Sequence, residues 1–137
     1  MKTLLNISDA AAIGLHCSVM LAQKKRERCG EMAGRFGISA AHVSKVMQRL
    51  VKAGIVKSLR GPCGGFELAR PPEKIKLGEV FAAIEGKTPK TRCLFGHARC
   101  PAERCVIYGF ITGLNREFER LLSLTLRQAA EKMYGEK

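Results

Sequence analysis

Three cysteines lie close together late in the chain, and they are the residues with the clearest potential for chemistry. Cys93, Cys100 and Cys105 are separated by six and four residues. The intervening residues, 94–99 and 101–104, are typical of an irregular loop. Three thiolates on one short loop can converge on an iron–sulfur cluster or a metal ion, with one coordination position left for a ligand from elsewhere.

The ligand types indicate which metal ion or cluster such a site would bind. Thiolates suit iron–sulfur clusters and zinc, but structural zinc sites usually have four Cys or His ligands. Three thiolates and a weaker oxygen ligand favour a labile cluster, of the 2Fe–2S or 4Fe–4S type. Zinc, and a metal-free loop whose thiols respond to oxidation, remain the alternatives.

The charge of the chain points to its partner. Lys and Arg number 24 against 12 acidic residues, which gives a net charge of +12 over 137 residues. Such an excess predicts a polyanionic partner, most simply double-stranded DNA. The chain has no Trp and few other aromatic residues, so stacking of bases on an aromatic platform is not expected.

The same sequence argues against export and membrane insertion. Asn6, Asp9 and His16 interrupt the N-terminal apolar run, and no uncharged apolar stretch is long enough to span a bilayer. The expected location is the cytoplasm, where clustered cysteines more often indicate a metal site or redox chemistry than disulfides.

The N-terminal half has the pattern of a helix-turn-helix. A first helix is expected from about Ser8, a natural N-cap, to Gln23, followed by a charged connector at 24–28. A short helix at 30–36 ends at Gly37, and Ser39 caps a third helix whose apolar residues recur at helical spacing from 40 to 52. The third helix has a polar outer face, as a DNA-recognition helix requires.

A β-hairpin follows the recognition helix. Strands are predicted at 55–59 and 66–68, and the glycines of the intervening turn permit positive φ. The predicted fold is therefore mainly α with a small β-hairpin wing, a winged helix-turn-helix. It occupies residues 1–86, which include a further short helix at 77–85.

A long C-terminal helix, predicted from about 104 to 122, would follow the cysteine loop at 87–105. Its apolar stripe needs a partner surface, and the simplest partner is a second copy of the chain. Residues 104–137 are therefore predicted to form a dimerisation helix and C-terminal segment, with packing inside the same domain as the alternative.

Several of these motifs together resemble the Rrf2 family of winged-helix regulators. The resemblance rests on the following segments: Gly37-Ile38-Ser39, the run Leu50–Arg70 with its Arg-Gly-Pro-Cys-Gly-Gly-Phe wing, Leu77-Gly78-Glu79-Val80, the three-cysteine loop and Leu124-Thr125-Leu126. It implies a homodimer that binds a palindromic operator, with an iron–sulfur cluster that tunes DNA binding. The family includes an iron–sulfur cluster regulator and a nitric-oxide-sensitive repressor.

The resemblance also suggests a fourth ligand. The cluster regulator has a histidine three residues after its last cysteine, but Tyr108 occupies that position here. The nitric-oxide-sensitive repressor takes an aspartate near its N-terminus from the opposite subunit, and Asp9 lies in a matching context. Asp9 is therefore the expected ligand, with His97 as the other candidate and a purely helix-stabilising role for Asp9 as the alternative.

The residues expected to contact DNA lie on the recognition helix and the wing. Phosphate contacts position such proteins and base contacts specify sequence. The candidates are Ser39, His42, Ser44, Lys45, Gln48, Arg49, Lys57 and Arg60. Cys63 occupies a position in the wing where glycine is usual in the family, and it is either a tolerated turn residue or a reactive thiol beside DNA.

These observations predict a DNA-binding transcriptional regulator, not an enzyme, whose operator binding responds to nitric oxide, redox state or iron supply through a cluster held by Cys93, Cys100, Cys105 and Asp9. The alternative is a cluster-free repressor that responds through cysteine oxidation or a partner protein. No paired base and nucleophile and no phosphate-binding loop accompany the cysteines.

Overall fold

The computed structural model describes residues 7–87, 93 and 104–135. In chain order, its elements are α1 (Asp9–Lys24), β1 (Arg26–Glu27), α2 (Cys29–Phe36), α3 (Ala40–Lys52), β2 (Val56–Leu59), β3 (Gly65–Leu68), a 3-10 turn (Pro72–Lys74), α4 (Leu77–Glu85), α5 (Val106–Ser123) and α6 (Leu126–Tyr134). This confirms the predicted mainly helical winged fold.

Helix α1 is the central helix of the domain. It begins at Ser8, whose hydroxyl accepts a hydrogen bond from the Ala11 N–H at 3.1 Å. The helix is apolar nearly all round because α3, α4 and α6 all pack against it. Its buried residues include Cys17 and Met20, so most of its surface contributes to the core.

Helices α2 and α3 form the helix-turn-helix. Gly37 ends α2 in the left-handed conformation, with φ 65°, and Ser39 caps α3 by accepting from the His42 N–H at 3.1 Å. The inner face of α3 is completely or almost completely buried, and consists of Val43, Val46, Met47 and Leu50. Burial of this face directs the polar face of α3 outward, as predicted.

The wing contains one strand more than the sequence predicts. Strands β2 and β3 pair antiparallel, with Val56 opposite Leu68 and Leu59 opposite Gly65. Strand β1 pairs with the other edge of β3 through Arg26 and Glu27, so the sheet order is β1-β3-β2. The prediction of a mere charged connector at 24–28 was therefore wrong. The strand has two residues, and its pairing partner lies about forty residues away in sequence, so no local pattern reveals it.

The C-terminal helices return to the N-terminal half. The Leu77 N–H donates to the Leu124 carbonyl at 2.9 Å, and the Leu126 N–H donates to the Ile75 carbonyl at 2.8 Å. These bonds place α5 against α4, where the rings of Phe81 and Phe118 lie 5.3 Å apart, and place α6 against α1. Helix α5 begins two residues later than predicted, which is within the usual uncertainty of helix ends.

Candidate nucleic-acid interface and cysteine segment

The outer face of α3 carries most of the predicted DNA contacts. His42, Lys45, Gln48 and Arg49 are all exposed on this face. Ser39 is also exposed, but its hydroxyl serves as the N-cap of the helix. The exposed side chains offer hydrogen-bond donors, acceptors and positive charge on one surface, which is what reading a major groove requires.

Two of the predicted contacts on α3 lie against other helices. Ser44 is half-buried beside Cys29, which lies at the start of α2. Burial raises the pKa of the Cys29 thiol, and the Ser44 hydroxyl lowers it by a smaller amount. The guanidinium of Arg49 donates to the carbonyl of Ile84 in α4, so this residue links the recognition helix to α4.

A groove with a volume of about 750 Å³ lies between α3 and the wing. Its lining includes three of the predicted DNA contacts, Gln48, Lys57 and Arg60. The ammonium of Lys57 lies 2.6 Å from a carboxylate oxygen of Glu67, so part of its charge is already balanced. This ion pair lowers the pKa of Glu67, chiefly through the hydrogen bond from Lys57.

Two arginines that the sequence-based list lacks hold the tip of the wing. Arg28 donates from Nη2 to the carbonyl of Pro62, and Arg26 donates from Nη1 to the carbonyl of Cys63 at 3.2 Å. The basic run at 24–28 was a visible signal in the sequence, but the partners of its arginines come from a distant turn. Only the fold brings them together.

The described part of the cysteine segment includes two of the three predicted thiolate ligands. Cys93 and Cys105 are both half-buried, and Cys105 is the N-cap residue of α5. Cys100 and the alternative ligand His97 lie outside the described residues. Across residues 7–87, 93 and 104–135, no three His, Cys, Asp or Glu side chains are grouped so that they could hold a metal ion.

The donor set is nevertheless suitable for an iron–sulfur cluster. Two half-buried thiols flank the segment, and a helix N-terminus, which favours negative charge, follows the second of them. Three thiolates that leave one coordination position open suit an iron–sulfur cluster with one non-cysteine ligand. They suit a structural zinc site less well, because such a site usually has four Cys or His ligands.

The beginning of α1 lies beside the chain that leads into the cysteine segment. Asp9 is exposed in the first turn of α1. The preceding residue, Ser8, donates from its backbone N–H to a carboxylate oxygen of Glu85 at 3.0 Å and also from its hydroxyl to the same oxygen. Glu85 ends α4, eight residues before Cys93. The sequence alone did not single out Glu85, because its partner is 77 residues away.

The other cysteines lie in different environments. Cys17 is fully buried in α1, and burial, with a smaller contribution from nearby Cys29, raises the pKa of its thiol to about 12. Cys63 is exposed at the tip of the wing. Cys17 is therefore a core residue, whereas Cys63 is accessible to solvent.

The fold and the exposed basic face of α3 define a winged helix-turn-helix protein of the DNA-binding class. None of the helices in the described part of the chain has the length and apolar character that a membrane crossing requires. Residues 7–132 match the Rrf2 family, described as "Iron-dependent Transcriptional regulator". The chain belongs to the Rrf2 family of transcriptional regulators, a class of winged-helix proteins that bind DNA.

Individual relatives support the same assignment. The chain is 31% identical over 103 residues to the HTH-type transcriptional regulator IscR of Vibrio atlanticus, covering 74% of this chain and 59% of that protein. Its structure is similar to that of CymR, the global cysteine regulator of B. subtilis, with a TM-score of 0.75, 26% identity and coverage of 93% and 98% of the two chains. It is also similar to T. potens IscR, with a TM-score of 0.69, 26% identity and coverage of 94% and 88%.

Proposed function

We propose that this protein is a homodimeric transcriptional regulator whose binding to a palindromic operator is controlled by an iron–sulfur cluster. Cys93, Cys100, Cys105 and Asp9 are the proposed ligands. Because its target is chromosomal DNA, the proposed place of action is the cytoplasm.

The observation that carries the proposal is the contact between Ser8 and Glu85. This contact holds the first turn of α1, with Asp9, next to the end of α4, from which the chain continues to Cys93. The contact thereby fixes the first turn of α1, from which Asp9 of one subunit is proposed to reach the cluster bound by the cysteines of the other. A cluster bound by three thiolates and one weaker carboxylate supplies an iron that nitric oxide or oxygen reaches readily.

The described contacts also suggest how this site would influence the recognition helix. The end of α4 touches both the start of α1, through Glu85 and Ser8, and the last turn of α3, through Ile84 and Arg49. A change in the position of Asp9 or of the segment after Glu85 would therefore also change the position of α3. We infer that ligand binding at Asp9 alters the placement of α3 and so the affinity for the operator.

Dimerisation is proposed to occur through α5. Val106, Ile107 and Phe110 are 88%, 50% and 59% exposed, and Leu121, further along the same face, is 46% exposed. These positions recur at helical spacing, so they form one continuous apolar face. A two-fold axis along this face would present two recognition helices to the two halves of a palindrome.

The test is anaerobic purification of the wild type and of Asp9→Ala, each followed by a visible absorption spectrum and assays of iron and sulfide. The proposal requires a coloured wild-type protein and a variant that loses its cluster or holds it less tightly. A matched control is Asp9→Glu, which keeps the carboxylate. A wild-type cluster that is equally stable in Asp9→Ala would contradict the role of Asp9 but not that of the cysteines.

A second candidate function is that of a cluster-free repressor that responds by thiol oxidation. It is favoured by the similarity to the cysteine regulator CymR and by the exposure of Cys63 in the wing. An anaerobically prepared protein that contains no iron, binds DNA and loses this binding on mild oxidation would support it. Cys63→Ser would then retain DNA binding after oxidation, whereas Cys100→Ser would do so if the loop thiols are responsible.

A further inference from the structure

We propose that Arg26 and Arg28 are positioning residues for DNA binding, because they hold the tip of the wing in the orientation that presents Arg60 to DNA. This inference rests on the operator binding proposed above and deepens it. The two arginines would act on DNA through the wing and not by contact with phosphates.

The first observation is the direction of the two guanidinium groups. Arg28 donates to the carbonyl of Pro62 and Arg26 donates to the carbonyl of Cys63, two consecutive peptide groups at the wing tip. Within the turn itself, the Gly64 N–H donates to the Gly61 carbonyl at 2.9 Å. Hydrogen bonds from a charged donor are stronger than neutral ones, so the arginines are well suited to fix these carbonyls.

The second observation is that each arginine also makes a second contact. Arg28 is the N-cap residue of α2, and its backbone N–H donates to the carboxylate of Glu31 at 2.9 Å. Arg26 lies in β1, opposite Glu67, and its guanidinium lies 3.7 Å from the Glu67 carboxylate. The wing tip is thus connected directly to the first helix of the helix-turn-helix.

The third observation is the close approach of β1 to the wing. Gly65 has φ 147°, and a Cβ at this position would lie 2.7 Å from the carbonyl oxygen of Glu27. Lys25, which connects α1 to β1, has a positive φ of 67°, which is unfavourable for a residue with a side chain. Such backbone geometry persists only where the surrounding structure imposes it. The surrounding structure therefore fixes the position of β1 against β3.

The wing needs this support because it is short. Strands β2 and β3 have four residues each, and an isolated two-stranded hairpin is at best marginally stable in water. Arg60 follows directly after β2 and shares the groove with Gln48 of α3. Without its attachment to residues 26–28, the turn that carries Arg60 would no longer have one orientation relative to α3.

The test compares Arg28→Gln and Arg26→Gln with the wild type in binding to a duplex that the wild type selects from a random-sequence library. Lys132→Gln, an exposed residue of α6, is the control for loss of one positive charge, and Arg60→Gln is the control for loss of a direct contact. Affinity is measured over a series of salt concentrations. Hydroxyl-radical footprinting reports which part of the duplex each variant protects, and circular dichroism and thermal unfolding report folding.

We expect Arg28→Gln to bind about tenfold more weakly, a change of about 1.4 kcal/mol. The slope of log K against log salt would fall by about 1 in Arg28→Gln, as in Arg60→Gln, because both variants lose the contact made by Arg60. Adding Arg28→Gln to Arg60→Gln would therefore lower neither the affinity nor the slope any further. Protection of the duplex would be lost at the positions that Arg60→Gln also loses and kept in the major groove contacted by α3. Arg26→Gln would show the same pattern with a smaller loss.

Two results would overturn the inference. A further reduction of the slope by about 1 when Arg28→Gln is added to Arg60→Gln would mean that Arg28 contacts a phosphate directly. Unchanged affinity and footprint in Arg26→Gln and Arg28→Gln together would mean that the wing does not depend on them.

If the wild type selected no duplex at all, the proposed operator binding would fail instead. Amide exchange in the wing, measured without DNA, would then still test the attachment. Faster exchange at Phe66 and Leu68 in Arg28→Gln than in the wild type supports it, and equal exchange refutes it.

Discussion

Replacement of Phe110 by Ser should convert the protein from a dimer to a monomer. Phe110 lies in the middle of the exposed apolar face of α5 and is 59% exposed in the single chain. On the proposed dimer axis, this ring would be covered by the second copy. Because both subunits carry the change, each substitution removes two rings from the interface.

The size of the effect follows from the exposed area. A Phe side chain buries roughly 200 Å², so a ring that is 59% exposed presents roughly 120 Å² to a partner. At about 25 cal/mol per Å², this contributes about 3 kcal/mol per subunit, or about 6 kcal/mol per dimer. Such a loss corresponds to an increase of roughly four orders of magnitude in the dimer dissociation constant.

Sedimentation equilibrium at several protein concentrations measures the dissociation constant directly. Arg116→Ser is a matched control, because Arg116 is an exposed residue on the other side of α5. The control should remain as dimeric as the wild type. The Phe110→Ser monomer should still show a thermal unfolding transition, because its core is intact. Ile111 and Phe118 face inward and are unchanged.

The reasoning would be refuted if Phe110→Ser remained as tightly dimeric as the wild type, since the interface would then lie elsewhere. A wild type that is monomeric at all measurable concentrations would refute it equally. A monomeric variant that retained full affinity for a palindromic operator would contradict the proposed coupling of dimerisation to DNA binding.

Three further predictions concern the core, the thiols and the wing. Leu50→Ala should lower the free energy of unfolding by about 2–5 kcal/mol, measured by urea denaturation, because Leu50 is fully buried beneath the recognition helix. Iodoacetamide at mildly alkaline pH should label Cys63 in the folded protein and leave Cys17 unlabelled, since Cys17 is buried and has a pKa of about 12. Peptide mass spectrometry measures the labelling of each cysteine, and labelling of Cys17 in preference to Cys63 would contradict the prediction. The hydrogen bond from Lys57 depresses the folded-state pKa of Glu67, so its stabilising contribution is present above the unfolded-state pKa of about 4.3 and is lost as pH falls through the lower folded-state value. Glu67→Gln should therefore show a weaker loss of stability than the wild type as the pH is lowered below about 4, and identical pH profiles would exclude the ion pair as a contributor.

Most of the helices could be predicted because their signals are local. Ser8 and Ser39 are N-caps whose hydroxyls accept backbone hydrogen bonds three residues later, and Gly37 ends α2 with a positive φ. The buried positions of α3 recur at the spacing that the sequence displays. Such features depend on neighbours within a few residues, so sequence reasoning captures them.

The candidate site was predicted in part. The exposure of His42, Lys45 and Gln48 on α3 agrees with their expected role, which stays a prediction until DNA binding is measured. The roles of Cys93, Cys100, Cys105 and Asp9 also stay predictions, and Cys100 lies outside the described residues. The partner of Arg49 was not predictable, because the Ile84 carbonyl lies 35 residues away in sequence.

The class of this protein can be inferred from its helix-turn-helix spacing, its glycine-rich wing and its positive charge. Only the folded chain reveals the third strand, Arg26–Glu27, the bonds from Arg26 and Arg28 to the wing tip, and the contact between Glu85 and the start of α1. The difference lies in the range of the interactions. Caps and periodicity act within one element, whereas these charged side chains acquire a role only when folding brings distant segments within hydrogen-bonding distance.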